Sequence, residues 1–208
     1  MRDTKNSLYY YIFHTQYGYL GLASSDKGLR AVVLPQKNKN LVYKKLISNL
    51  NDKEVVLVKN KVKLNNYYVQ ILGYFNGISK SFRVKLDLQG YSDFSKKVWE
   101  ITQEIPYGET RSYSWIAERF CSPDFTVRNI YSRKKIPGYY LSRAVGNALG
   151  KNPIPIIIPC HRVLKKDGSL GGFSSGLSWK RFLLDLEKNN MRKYNCKFSR
   201  QSSKYSSP

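Results

Sequence analysis

Ile154-Pro155-Ile156-Ile157-Ile158-Pro159-Cys160-His161-Arg162-Val163 is the stretch around which the rest of the chain can be arranged. A run of β-branched residues bracketed by prolines reads as a short buried segment, too brief for a helix of its own. Pro159 fixes its own φ and turns Ile158 away from helix, so the backbone that delivers Cys160 is stiff. A thiol on a rigid, buried shelf beside groups able to carry positive charge is the setting of a nucleophile, because the thiolate is the reactive form. An isolated cysteine at the end of an apolar run is more often an inert core residue. His161 and Arg162, adjacent and charge-capable, fit such a core poorly and favour the reactive reading.

Working outward, Asp93 is placed to cap a helix whose stripe is Phe94, Val98, Ile101, Thr102 and Ile105, ended by Pro106-Tyr107-Gly108. Ser112 caps a shorter helix with Ile116, Ala117 and Phe120 inward, and Ser142 caps a third over Arg143–Leu149 that Gly150 ends. Two short capped helices behind a longer one have the form of a helix-turn-helix unit. The third helix is lined with small residues, Ala144, Gly146 and Ala148, which lets a bulky partner approach closely. Arg143 lies in its first turn, where the helix dipole disfavours a cation; an isolated arginine there is more often simply solvated, and the functional reading is an arginine projecting from a DNA-facing helix into the base stack. Beyond the cysteine, Asp167-Gly168 is a turn and Gly171-Gly172-Phe173-Ser174-Ser175-Gly176 a polar loop. Ser178 then caps a final helix, with Trp179, Phe182, Leu183 and Leu186 on its apolar side and Glu187 at the stripe's edge. A carboxylate half inside an apolar face needs a partner.

The balance of 36 Lys+Arg against 14 Asp+Glu, a net charge of +22, implies a polyanionic partner, most simply nucleic acid. Three widely spaced cysteines, Cys121, Cys160 and Cys196, favour a reduced, intracellular protein over a disulfide framework. With no C-x-x-C pair and only His14 and His161, no metal site is expected. No apolar stretch approaches a membrane span, and the N-terminus lacks the layout of a signal peptide.

Asn152-Pro153-Ile154-Pro155 followed by Ile158-Pro159-Cys160-His161-Arg162-Val163 resembles the active-site signature of the O6-alkylguanine-DNA alkyltransferases, and the likeness runs from about Phe94 to Glu187. The resemblance implies an α+β fold: a small mixed, RNase H-like N-terminal domain with an antiparallel sheet over residues 1–89, then a mainly helical, winged helix-turn-helix-like catalytic domain over 90–190. It implies suicidal DNA repair, in which an alkyl group leaves O6 of guanine in duplex DNA (O4 of thymine being a second candidate) for Cys160, with base flipping, no cofactor and no turnover. The protein is expected to act as a monomer. The same resemblance assigns catalytic roles to Cys160, His161, Glu187 and Tyr113; substrate contacts to Asn152, Pro155, Val163, Gly171, Phe173 and Ser174; and DNA contacts to Ser112, Tyr113, Ala144, Arg143 and Arg162. Within it Arg143 is the finger that fills the gap left by the flipped base, Tyr113 contacts the base and helps rotate its phosphate, and Glu187 orients His161. Phe173 stands where a tyrosine is frequent. Residues 121–140 depart from the family pattern, which joins these helices by a few residues; the basic insertion carries Arg128, Arg133, Lys134 and Lys135.

The N-terminal part reads as β over Leu8–Leu34 with turns at Tyr17-Gly18-Tyr19 and Asp26-Lys27-Gly28, giving two hairpins or a three-stranded meander. Helices are expected at Leu41–Leu50 and Val62–Phe75, the second with Leu64, Tyr67, Tyr68, Ile71, Leu72 and Phe75 on one face. Strict alternation over Phe82–Leu88 predicts a half-buried strand. No chemistry is visible here, and scaffolding is the expected role. The segment 191–208 is basic and nearly devoid of apolar residues, and disorder is expected. Adjacent residues on an extended backbone point to opposite faces, so an imidazole–thiol contact needs a turn or a bridging water. The rival readings are a non-catalytic sensor of alkylated DNA, whose relatives replace the cysteine, and a cysteine hydrolase, for which neighbouring Cys and His are poorly arranged.

Overall fold

The structure, a computed structural model, describes residues 7–50, 56–121 and 138–202. Its N-terminal half is a four-stranded sheet of order β3-β2-β1-β4. Strands β1 (Ser7–Thr15), β2 (Gly18–Ser24) and β3 (Leu29–Gln36) form the expected antiparallel meander, with Thr15 opposite Gly18 across a tight turn. Strand β4 (Val56–Lys59) was not foreseen: it joins the free edge of β1 in parallel, so the sheet is antiparallel in its meander and mixed overall. Helix α1 (Lys39–Leu50) places Val42, Leu46 and Leu50 against β2 and β3. There Gly21 leaves room for the Val42 side chain, whose Cγ1 would lie 2.4 Å from an added Cβ.

Helix α2 (Lys61–Phe75) is capped by Asn60, whose side chain accepts from Lys63 N. Its buried line is Leu64, Ile71, Tyr74 and Phe75. Tyr67, Tyr68 and Leu72, expected on the inner face, are only half-buried, and Tyr74 takes the central place. The predicted strand at Phe82–Leu88 is not one. Phe82, Val84 and Leu86 do point inward and Arg83 and Lys85 outward, but the backbone bonds to β3 only around Leu29, through Leu29 N to Lys85 O (2.9 Å) and Asp87 N to Leu29 O (2.8 Å). Alternation reports which side of a segment is buried; it does not supply a neighbouring ladder.

The C-terminal half stacks α3 (Asp93–Gln103), α4 (Tyr113–Phe120) and α5 (Gly138–Gly150) as a helix-turn-helix unit, beside the two-residue parallel pair β5 (Arg111–Ser112) and β6 (Val163–Leu164). Ser92, not Asp93, caps α3, its hydroxyl accepting from Ser95 N, while Asp93 sits in the first turn. Ser112 caps α4 as expected, accepting from Trp115 N at 3.1 Å. Helix α5 starts at Gly138, so Ser142 lies inside it rather than at its cap. Trp99 of α3, fully buried, donates from Nε1 to Ala148 O (3.0 Å) and locks α3 to α5. Residues 122–137 of the basic insertion lie outside the described residues.

Helix α6 runs from Leu177 to Ser202, preceded by Gly176 at φ +95°, and Ser178 falls in its first turn instead of at the cap. Of the tail expected to be disordered over 191–208, residues 191–202 continue this helix, and 203–208 lie outside the described residues. Two side chains of this continuation are engaged. Met191 lies over Gly108, and Tyr194 meets the Lys80 ammonium 3.3 Å from its ring centroid, a contact that composition alone does not reveal. One apolar cluster, from Phe13 and Leu20 in the sheet through Trp99 to Leu183 of α6, spans both halves. Val32 N donates to Pro153 O (2.9 Å), tying the segment before Cys160 to β3.

Candidate active site

The segment that presents Cys160 is a chain of tight turns. Ile158 N bonds back to Ile154 O (3.0 Å), and Ile156 sits at φ +77°, a left-handed conformation that costs a β-branched residue about 1–3 kcal/mol. Pro159 (φ −82°, ψ 58°) forms an inverse γ-turn, closed by Cys160 N to Ile158 O at 2.8 Å. A single 3-10 turn, Cys160–Arg162, follows. This turn separates the thiol, which meets Asn152, from His161 and Arg162, which both reach Glu187.

Asn152 organises this knot. Its Oδ1 accepts from Ile154 N (2.9 Å), which leaves Nδ2 to donate to Ile158 O (2.9 Å) and to Cys160 Sγ (2.9 Å). Burial pushes the Cys160 thiol up to about 11, against the opposing pull of the Asn152 donor, the Lys180 charge and nearby backbone amides. Cys160 is a free thiol, protonated at neutral pH.

Behind it lies Glu187, 1% exposed and surrounded by donors. Oε1 accepts from His161 Nε2 (2.7 Å), Tyr74 Oη (2.7 Å) and Arg162 NH2 (3.0 Å); Oε2 accepts from Gly108 N (2.9 Å) and Arg162 Nε (3.0 Å). Burial alone raises this carboxyl, but the hydrogen bonds and charges of His161 and Arg162 outweigh it and hold it at about 2. Burial lowers His161 below the ordinary imidazole value even though Glu187 pulls it up, so the ring is neutral at pH 7. The lasting counter-ion of Glu187 is therefore Arg162. An ionised carboxylate only accepts, which assigns the imidazole proton to Nε2 and leaves the lone pair on Nδ1. His161 Nδ1 is buried and has no hydrogen-bond partner among the described residues.

In front of Cys160 opens a cleft of about 1350 Å³ between α4, α5 and the loop after β6. Tyr113, Arg143, Gly146, Gly171, Phe173 and Ser174 line it together with Cys160, and Arg143 is exposed at its edge. The exposed Cys121 lies on the same cleft. The small face of α5 serves the tyrosine: a Cβ on Gly146 would rest 3.8 Å from the Tyr113 ring. Gly171 (φ +65°) approaches Tyr113 more closely still, with an added Cβ only 2.8 Å from Oη. Ser112 is engaged as the α4 cap and bonds Ser114 (2.8 Å), and Ala144 is half-buried on α5.

Other expected site residues are placed elsewhere. Arg162, expected on DNA, is 5% exposed and held by Glu187 and by Ile105 O (2.7 Å from NH1), because the 3-10 turn points it inward. Val163, expected to touch substrate, is fully buried in β6. Asn152 reaches the thiol itself, and Pro155 is buried and lines a second cavity of about 680 Å³, which shares Gly150 and Ser174 with the Cys160 cleft.

Two residues escaped the sequence reading. Lys180 is buried, donates from Nζ to the carbonyls of Val163 (2.6 Å) and Leu170, and lies 5.8 Å from the Tyr113 ring centroid. Burial lowers its ammonium to about 8. Tyr74 is the other. Both were accessible from spacing: Lys180, Leu183 and Glu187 follow one line on α6, and Ile71 and Tyr74 one line on α2. Among the described residues, no group of three or more His, Cys, Asp or Glu could hold a metal ion, and no helix is long and apolar enough to cross a membrane.

Known proteins resemble this one over most of the chain. The family model described as 6-O-methylguanine DNA methyltransferase, ribonuclease-like domain, matches residues 8–88, and the corresponding DNA binding domain matches residues 93–189. A methylated-DNA–protein-cysteine methyltransferase of Methanosarcina barkeri is 40% identical over 185 residues, which is 89% of this chain and 100% of that protein. The crystal structure of the Mycobacterium tuberculosis O6-methylguanine methyltransferase superposes with a TM-score of 0.64 at 33% identity, covering 88% of this chain and 94% of that one. The OGT protein of the same organism in complex with DNA is as similar in structure (TM-score 0.64, 32% identity, and the same coverage of 88% and 94%). The chain belongs to the methylated-DNA–protein-cysteine methyltransferase family.

Proposed function

We propose that the protein repairs alkylated DNA by moving an alkyl group from O6 of guanine in a duplex to Cys160, each molecule acting once. The observation that carries this reading is the buried thiol at the cleft, held by Asn152 and backed by a neutral imidazole whose free Nδ1 lone pair is fixed by ionised Glu187. His161 Nδ1 takes the thiol proton through a bridging water. Sγ attacks the alkyl carbon, the carbon–O6 bond breaks, and the electron pair stays with guanine, where the Tyr113 hydroxyl offsets the charge. Because burial, and then the charge of Cys160, raise the Tyr113 phenol, it arrives protonated and able to donate. The thioether product is not readily reversed.

The target carbon lies inside the duplex stack, so the nucleotide must be rotated out into the cleft. Arg143, exposed at the cleft edge on α5, occupies the vacated stack, and Tyr113 at the start of α4 sits beside the rotated phosphate. Gly171, Phe173 and Ser174 form the wall that the base meets. The acting unit is a monomer with damaged duplex DNA as its partner.

Incubation with duplex containing O6-methylguanine, followed by mass measurement of the intact protein, tests the reading. Addition of a single methyl that maps to Cys160, and is lost in Cys160→Ala while duplex binding persists, supports it. An unchanged mass with tight binding instead identifies a sensor, and repeated turnover identifies a hydrolase.

A further inference from the structure

The N-terminal half reaches the reaction centre through one side chain. Tyr74, in the last turn of α2, is fully buried and donates to Glu187 Oε1 at 2.7 Å, with its oxygen also 3.4 Å from His161 Nε2. Its ring is fixed edge-on by Tyr107 (5.8 Å between centroids) and Phe75 (5.7 Å). The carboxylate does not need this hydroxyl for its charge, since Arg162 bonds both oxygens and Gly108 N bonds Oε2. What Tyr74 adds is aimed at Oε1, the oxygen that His161 uses. Two donors on one oxygen compete: each hydrogen bond draws electron density that the other then lacks.

We infer that Tyr74 is a positioning residue of the site, whose hydroxyl holds Glu187 Oε1 and limits how strongly that oxygen can retain a proton on His161. This deepens the proposed reaction and rests on it for its kinetic part. The base in that reaction must accept the thiol proton yet be free of a proton beforehand, and a carboxylate engaged by Tyr74 keeps the imidazole on the neutral side. The groups facing the pair are Arg162 and Cys160 on its own turn, Tyr74 of α2, Tyr107 of the α3–β5 connection and Lys180 of α6. Of these, Tyr74 alone shares Oε1 with His161 as an uncharged donor.

The test follows the ring nitrogens of His161 by NMR across pH in the full chain, with the exposed His14 as an internal reference. In Tyr74→Phe the protonation midpoint of His161 is expected to rise by about one pH unit, the size of a hydrogen bond to a charged group. The acid limb of the Cys160 alkylation rate should move with it. Incorporating 3-fluorotyrosine at position 74 keeps ring and hydroxyl but makes a stronger donor, and should move the midpoint down. Tyr107→Phe is the control, because its hydroxyl bonds Asn190 (3.0 Å) and not Glu187; it should lower the melting temperature without moving His161. An unmoved midpoint in both Tyr74 variants, or an equal shift in Tyr107→Phe, overturns the inference and leaves Tyr74 a tether between the halves. The titration needs no alkyl donor, so failure of alkyl transfer and failure of this inference are told apart.

Discussion

Replacing Arg162 by methionine separates two roles that the Cys-His-Arg string leaves open: a DNA contact or an internal counter-ion. Methionine keeps an apolar stem of similar reach and removes the guanidinium, which donates to both oxygens of Glu187 and to Ile105 O. Glu187 would keep His161, Tyr74 and Gly108 as donors but lose its permanent positive charge. Stranding one member of a buried ion pair costs about 3–5 kcal/mol, which for a chain of this size lowers the melting temperature by about 10 °C or more. The pH dependence has a definite sign. Glu187 sits at about 2 in the fold against an ordinary 4.5, which corresponds to about 3 kcal/mol of stability. A depressed carboxyl contributes fully above pH 4.5 and loses its contribution as pH falls from there towards 2. Without Arg162 the carboxyl rises, so the stability gap between variant and native protein should narrow on acidification. Thermal melts from neutral to acid pH measure both effects. A salt titration of DNA binding completes the assay, since a buried guanidinium leaves the salt slope unchanged. Near-native melting, together with a slope reduced by about one, would refute the counter-ion role and return Arg162 to the DNA.

Gly171→Ala should slow Cys160 alkylation by O6-methylguanine duplex and by O6-benzylguanine alike, on the order of ten-fold or more, because the new methyl meets Tyr113 Oη at 2.8 Å and φ is +65°. An unchanged methyl rate beside a slowed benzyl rate would show that the added bulk only narrows the cleft and leaves Tyr113 in working position. Lys180→Met removes the donor to Val163 O and Leu170 O and should cost about 2 kcal/mol while speeding amide hydrogen exchange in the loop at residues 170–174. Protection left as in the native protein would mean that the loop is held by something other than Lys180.

The fold was legible wherever one local signal decided it: the β1–β3 meander from aromatic runs broken at Gly18 and Gly28, and α4 from the Ser112 cap. It was illegible where tertiary contact decided. Val56–Lys59 is short, largely exposed and a strand only because β1 has a free edge beside it. Phe82–Leu88 has the alternation of a strand but pairs only through an isolated bridge to Leu29, and α6 continues past Asn190, where Met191 and Tyr194 meet Gly108 and Lys80. At the site, the motif placed Cys160, His161 and Glu187 in one neighbourhood, but spacing could not give direction. The 3-10 turn aims Arg162 inward, and Tyr74 comes from 113 residues away in the chain to bond Glu187 Oε1.

The state of the thiol links these features. Reactive cysteines are commonly found where positive surroundings lower their pKa, whereas here burial holds Cys160 at about 11. At pH 7 the distance of about four pH units corresponds to about 5 kcal/mol needed to form the thiolate, so the resting group is a poor nucleophile toward chance electrophiles. In the proposed reaction, where Cys160 is used once, that inertness is useful. The surroundings supply the means to overcome it locally: Asn152 Nδ2 donates to Sγ, the Lys180 charge lies nearby, and the lone pair of His161 Nδ1 has no competing partner among the described residues. These aids stand ready together only when Glu187 is ionised and His161 neutral, and the five-donor shell about Glu187 secures both. The selectivity of the site then rests on what the cleft admits and holds against Tyr113, because the thiol by itself offers little reactivity to any substrate.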